Sequence, residues 1–264
     1  MNHSFYIKNA GIVFKITFND SRLFDVIKKY FRSTKSNGPA EFEIFIKKNY
    51  RKKGFKIINN RLIEICFPNG KLTRFKLSRL HYAVIGAAGY FSLTKNIFFL
   101  HASAFVKNNK AYIFTAPSGT GKTTIIKAVD KKQVLADDVV IIKKIKKKCF
   151  VYSSSFEKTS FQLTKKIPIA AIYFLSQSKN NVIKTLNYLQ GFKKLIYNHI
   201  LFPFGDYRKK INSNEIHRLS TIFKKTKKEK KAVLLLIKLA LFIAANVQIY
   251  NLFFTKGVNF SKEL

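Results

Sequence analysis

The segment Ala116-Pro117-Ser118-Gly119-Thr120-Gly121-Lys122-Thr123-Thr124 carries the strongest chemical signal in the chain. Its second half matches the Gly-Lys-Thr end of a phosphate-binding loop, with Ala116 where the first glycine of that motif usually stands. Each residue type has a task. Gly119 and Gly121 let the backbone turn successive N–H groups toward phosphate oxygens. A helix beginning at Lys122 would add a partial positive charge. Lys122 is suited to the β/γ-phosphates and the Thr123 hydroxyl to Mg²⁺. Pro117, Ser118, Thr120 and Thr124 complete the loop. The alternative is an ordinary Gly/Ser turn before a helix.

A second signal lies 15 residues beyond Lys122, where Asp137-Asp138 is the sole adjacent acidic pair in a chain with 13 acidic residues. Two carboxylates beside a phosphate loop meet two needs of phosphoryl transfer. One can hold Mg²⁺ and the other can accept the proton of an attacking hydroxyl. Without a cation, like charges side by side are unfavourable, so a turn or cap role is the competing explanation. His101, after the apolar run Ile97 to Leu100, reads by itself as a hydrogen-bonded core residue or as a catalytic group. The other histidines have no metal-ligand spacing, and Cys66 and Cys149 are isolated, hence structural.

The elements that would position these residues follow from periodicity. Residues 97–105 and 111–115 read as strands joined by a Lys107–Lys110 turn, and the loop opens a helix over 122–129. One strand is expected over 135–142, with further strands at 149–152, 169–175 and 248–254. Helices are expected over 188–198 and 232–245. Residues 1–80 read as a separate α+β unit. Alternating strands flank the Asn9-Ala10-Gly11 turn, and a helix near Leu23–Phe31 is capped by Asp20 or Ser21. Strand-like runs at 41–46, 55–58, 62–67 and 72–77, joined by tight turns, suggest an antiparallel sheet. Residues 80–93 read as a buried linking helix. The expected division is an N-terminal α+β accessory domain over 1–95 and a catalytic domain over 96–264.

Composition limits the alternatives. The 264 residues hold 50 Lys+Arg against 13 Asp+Glu, a formal charge of +37, while 47% hydrophobic residues and 27 Phe exclude global disorder. The lysines travel with Ile, Asn, Phe and Tyr and without Trp, a pattern that AT-rich codons also produce. The Lys143–Lys148 and 224–231 clusters motivate a nucleic-acid-dependent NTPase, but no aromatic-interleaved or helix-turn-helix pattern accompanies them. No basic–apolar leader opens the chain, so a cytoplasmic location is expected. Lys238 interrupts the apolar helix at 232–245, so no membrane span is expected.

Taken together, Leu100-His101-Ala102-Ser103-Ala104, the loop Pro117–Thr124 and Leu135-Ala136-Asp137-Asp138-Val139-Val140 resemble the catalytic domain of HPr serine kinase/phosphorylase, a P-loop kinase of the phosphoenolpyruvate-carboxykinase-like fold. Pro168–Leu175 and Val247–Phe254 look like the smaller HPr-kinase-related proteins of peptide-maturation clusters, which include lasso-peptide kinases. The resemblance covers roughly 96–264, with specific motifs only in 100–140. It implies an α/β P-loop kinase domain using ATP and Mg²⁺. Lys122 and the loop amides would bind the phosphates, Thr123 and Asp138 the metal. Asp137 would be the base and His101 would stand at the edge of the active site. The loop reads Gly-Lys-Thr-Thr where HPr kinases have Gly-Lys-Ser-Glu, and Ser153–Lys158 replaces a Gly-Thr-Pro-Phe-like turn. These departures separate nucleotide binding, which they leave intact, from the HPr substrate and the phosphorylase activity.

The expected activity is phosphorylation of a hydroxyl, foremost a serine, on a small protein or peptide. The alternatives are a small-molecule kinase, such as one acting on free serine, and a non-catalytic nucleotide-binding accessory protein. The phosphate donor (ATP, ADP or pyrophosphate) and the oligomeric state, a homo-oligomer included, are open at this level. The N-terminal unit is expected to help select the acceptor.

Overall fold

The computed structural model describes residues 2–34, 39–49, 54–68, 70–117, 120–157, 166–198 and 227–255. Two mixed sheets and a few helices form a mixed α/β architecture.

The first sheet comprises β1 (His3–Asn9), β2 (Ile12–Phe18), β3 (Phe42–Asn49), β4 (Gly54–Ile57) and β5 (Leu62–Pro68), in the order β1-β2-β3-β5-β4. A two-residue turn joins β1 to β2, with Ala10 at φ 50° and Gly11 at φ 91°. Positive φ at both positions matches the twist of a hairpin. Helix α1 (Ser21–Lys28) starts where the Asp20 side chain accepts the Leu23 N–H at 2.8 Å. It carries the chain over the sheet, so that β3 lies parallel to β2. β5 is parallel to β3, and only the outer pairs β1–β2 and β4–β5 are antiparallel. The expected all-antiparallel sheet is therefore corrected to a mixed one. The α1 crossover makes β3 parallel to β2, and the chain's reversal through β4, antiparallel to β5 at the sheet edge, leaves β5 parallel to β3.

The strand expected at 72–77 is also corrected. Helix α2 (Arg74–Leu93) begins there, with the Thr73 hydroxyl accepting the Lys76 N–H at 3.3 Å. Leu72, Phe75 and Leu77 stand three and two residues apart, so they keep no strand alternation, and Phe75 is 68% exposed. The spacing that counts is Leu77, Leu80, Val84, Ala87, Ala88 and Phe91, all buried on the sheets.

The second sheet is built on β6 (Ile97–Lys107) and β7 (Lys110–Thr115), a hairpin whose Asn108 and Asn109 both have positive φ. It continues with β8 (Val134–Ala136), β9 (Val139–Ile145), β10 (Lys148–Tyr152), β11 (Lys166–Gln177), β12 (Val182–Thr185) and β13 (Ile249–Phe254). Its order is β10-β9-β6-β7-β11-β13-β12, with β8 on β6 and a further β10–β11 pairing. The single strand expected over 135–142 is interrupted, because Asp137 and Asp138 stand in a gap between β8 and β9. Edge strand β12 has no counterpart in the periodicity reading; all four of its residues are exposed.

Helix α3 (Lys122–Lys127) is shorter than the expected 122–129. Helix α4 (Tyr188–Asn198) has the expected bounds and packs on α5 (Lys227–Asn246). In α5, Ala232, Val233, Leu236, Leu239, Ala240 and Ile243 are buried while Lys238 is exposed. Among the described residues no helix is long and apolar enough to cross a membrane.

One core runs without interruption from Phe5, Phe14, Ile44 and Ile63 of the first sheet, through α2, to Phe99, Val139 and Ile141 of the second and Phe156 in the turn after β10. A second core fills the face of the second sheet under α4 and α5. A third lies beneath α3. There Phe105, Phe114, Tyr173 and Tyr250 stack face to face across four adjacent strands, with centroids 5.2–5.6 Å apart.

Candidate functional site

Strand β6 assembles the site. Ala102 pairs with Thr115, the last residue of β7, so the loop Ala116–Thr124 leaves the sheet beside His101 and Ala102. Ala104 pairs with Ala136 at the end of β8, and His101 with Val139 at the start of β9. The Asp137-Asp138 gap therefore lies against the same short stretch of β6. Two hydrogen bonds pin it. The Ala102 N–H donates to the Asp138 carbonyl at 3.1 Å, and the Ser103 hydroxyl to the Asp137 carbonyl at 2.6 Å. The Thr115 hydroxyl donates to the His101 carbonyl at 2.9 Å, fastening the loop's point of departure.

Within the loop, Gly121 has φ 121°, a conformation open to glycine and strained for other residues. A Cβ there would also lie 2.8 Å from Phe254 Cζ, so the β13 terminus closes over this turn. Gly121 O accepts the N–H groups of Thr124 and Ile125, which begins α3. The Lys122 side chain is buried and donates to the carbonyls of Ala116 at 2.7 Å and Pro117 at 3.4 Å. Thr120 turns back onto the Pro117 carbonyl, and its own carbonyl accepts Gln177 Nε2 at 3.2 Å. Thr124 is exposed. Ser118, Gly119 and the Thr123 side chain, all assigned to phosphate or metal in the sequence, lie outside the described residues.

The two carboxylates occupy different environments. Asp138 is engaged at both oxygens. His101 Nδ1 lies 3.0 Å from Oδ1, close enough to pair but not aligned as a hydrogen bond, and the Tyr82 hydroxyl donates to Oδ2. Burial works to raise the Asp138 carboxyl, but His101 and Tyr82 outweigh it, and Lys122 adds to them, so it titrates below the usual range. Asp137 is exposed and is held above the usual range, by burial of part of the group and by the neighbouring Asp138 charge. Lys127 and Lys122 pull the other way. The Lys122 ammonium thus acts on both carboxylates, which links the loop and the acidic pair electrostatically.

Two side chains that the sequence reading did not single out complete the cluster. Tyr82, on α2, reaches Asp138 across 56 residues of sequence. Glu157 accepts the main-chain N–H groups of Asp137 at 2.6 Å, Asp138 at 2.9 Å, and Val139. Burial pushes its carboxyl up to about 7 despite those three donors. Two sequence signals could have drawn attention to Glu157: the scarcity of acidic residues, and its place in the divergent Ser153–Lys158 turn. Nothing in the helical pattern of α2 distinguishes Tyr82 from its neighbours.

Among the described residues no three His, Cys, Asp or Glu side chains cluster as a metal-binding group. The oxygens on offer to a cation are hard carboxylate donors, which suits Mg²⁺ held partly by phosphate rather than a zinc-type cage. Cys149 is buried, and burial pushes its thiol up to about 11, in keeping with a structural residue.

No protein-family model matches the chain, and no curated protein matches it in sequence. Among solved structures, the HPr(Ser) kinase/phosphatase from Coxiella burnetii is similar over 35% of this chain and 79% of that one, with 13% identity and a TM-score of 0.28.

Proposed function

We propose that the chain is an ATP- and Mg²⁺-dependent kinase that phosphorylates a hydroxyl, foremost a serine, on a small protein or peptide. The observation that carries this reading is the convergence on β6. The departure of the Lys122 loop, His101 and the Asp137-Asp138 gap meet within four residues of one strand, and the Lys122 charge acts on both carboxylates.

In this reading Lys122 leaves the Ala116 and Pro117 carbonyls for the nucleotide phosphates, exchanging neutral acceptors for charged ones. Thr123 and Asp138 would hold Mg²⁺, which supplies charge neutralisation at the phosphates when bound. Asp138, kept ionised by His101 and Tyr82, suits the cation side. Asp137, exposed and raised toward neutrality, suits acceptance of the proton from an incoming hydroxyl. A basic surface would favour approach of ATP or of an acidic acceptor.

The test is a pair of variants. Lys122→Ala should abolish binding of a fluorescent ATP analogue. Asp137→Asn should keep that binding and lose transfer from labelled ATP by about two or more orders of magnitude. Unchanged transfer in the Asp137 variant would remove the proposed base.

A further inference from the structure

The Ser153–Glu157 turn has two sides, and each is bonded to a different part of the molecule. On one side Glu157 Oε2 accepts the Asp137 N–H at 2.6 Å, and Oε1 accepts those of Asp138, at 2.9 Å, and Val139. These are the residues of the β8–β9 gap and the first of β9. A carboxylate across three successive N–H groups holds the backbone of that gap in one conformation, and with it the direction in which both Asp side chains leave the chain.

On the other side the turn is anchored in the first sheet. The Ser155 N–H donates to Asn9 Oδ1 at 2.8 Å, and the Ser155 hydroxyl to the Lys8 carbonyl at 2.6 Å. The Arg32 N–H donates to the Ser155 carbonyl at 2.8 Å. His81 Nε2 lies 3.2 Å from the Phe156 carbonyl, and the Phe156 ring meets Phe31 and Phe99 edge-on at 6.0 and 5.4 Å. Ser153, Ser154 and Ser155 are fully buried, so the turn has little room to shift.

From this geometry we infer that Glu157 is a positioning residue for phosphoryl transfer. It orients Asp137 and Asp138 through their main-chain N–H groups, with the first sheet as its anchorage. The inference rests on the kinase reading above, since it assigns a role toward that site's carboxylates. Glu157 acts through Asp137 and Asp138, so its loss should affect turnover and leave nucleotide affinity largely untouched.

The 264-residue chain and its Glu157→Gln variant are compared at mildly alkaline pH. Because the acceptor is unidentified, turnover is read as phosphate released from Mg-ATP to water. Thermal melting, affinity for a fluorescent ATP analogue, and hydrogen exchange of the peptide spanning 135–140 are read beside it. The variant is expected to melt no lower than the wild type, to bind within about twofold, and to release phosphate ~10–100-fold more slowly, with faster exchange at 135–140. Unchanged release and exchange would overturn the inference, as would a parallel loss of binding and release, which marks a merely structural residue. If the variant does not fold, the wild type decides. The clamp predicts protected amides at 137–139, and exchange there at the rate of an open peptide refutes it. A wild type that binds no nucleotide overturns the kinase reading instead, and the exchange measurement still reports on the clamp.

Discussion

Replacing Glu157 by Gln should change stability by an amount that depends on pH, and the sign follows from where the carboxyl titrates. In the folded chain burial raises it to about 7, against an ordinary value of 4.5. Between those values the folded chain holds a proton that the unfolded chain has released. Unfolding then expels a proton, and raising the pH favours it. The contribution is fully present below 4.5, is lost as pH rises through about 7, and is flat beyond. At ~1.4 kcal/mol per pH unit the full span is about 3 kcal/mol, an upper figure because partial exposure screens it. His81 acts with the opposite sign: burial lowers it, so its contribution is present above 6.5 and is lost as pH falls below that value. Both proteins contain His81, and the difference between them cancels it. Near pH 5 the protonated Glu and the Gln are near-isosteric, and the two proteins should unfold at similar urea concentrations. By about pH 8 Glu157→Gln should be the more stable, by on the order of 1–3 kcal/mol. Urea melts followed by far-UV circular dichroism across that range provide the check. A difference constant with pH would show that Glu157 does not titrate there. A wild type that gains on the variant as pH rises would show that the three N–H donors outweigh burial, and would refute the reasoning.

Tyr82→Phe removes a hydroxyl that donates to the charged form of Asp138. The Asp138 carboxyl should rise, the acid limb of the pH–rate profile should move upward in pH, and turnover should fall about tenfold with nucleotide binding retained. Gly121→Ala places a Cβ at φ 121° and against Phe254, and should cost roughly 1–3 kcal/mol in loop geometry, read as a lost thermal shift with ATP. Asn9→Ala leaves the Ser155 N–H without its acceptor in a buried site and should cost roughly 1–3 kcal/mol in a urea melt.

What the sequence made legible was what local chemistry dictates. The Asn108-Asn109 hairpin, the Asp20 cap and the bounds of α4 follow from turn, cap and periodic residues read within a few positions. The approach of Lys122 to the acidic pair was inferable because one strand–helix–strand unit joins them. The direction of β3 and β5 was not, since parallel and antiparallel neighbours share the same alternation, and only α1 and the path of the chain decide between them. The short apolar run over 72–77 passes for a strand, and the long helical stripe beginning at Leu77 overrides it. Edge strand β12 bears no buried face to betray it. Tyr82 and Glu157 act on Asp138 and on backbone N–H groups from afar, and contacts of that kind leave no spacing to read.

The register of β6 has a consequence for how such a chain can change over time. Residues 101–104 set the loop and the acidic pair at the same height by pairing with Thr115 on one side and with Ala136 and Val139 on the other. Side chains on a strand alternate between faces. Inserting or deleting one residue between Leu100 and Ser103 would turn His101 away from Asp138 and offset loop and carboxylates by one pleat. Length variation among descendants should therefore gather at hairpin ends such as Lys146-Lys147 and be absent from this stretch. There the strand serves as a ruler that can be relabelled but not recut.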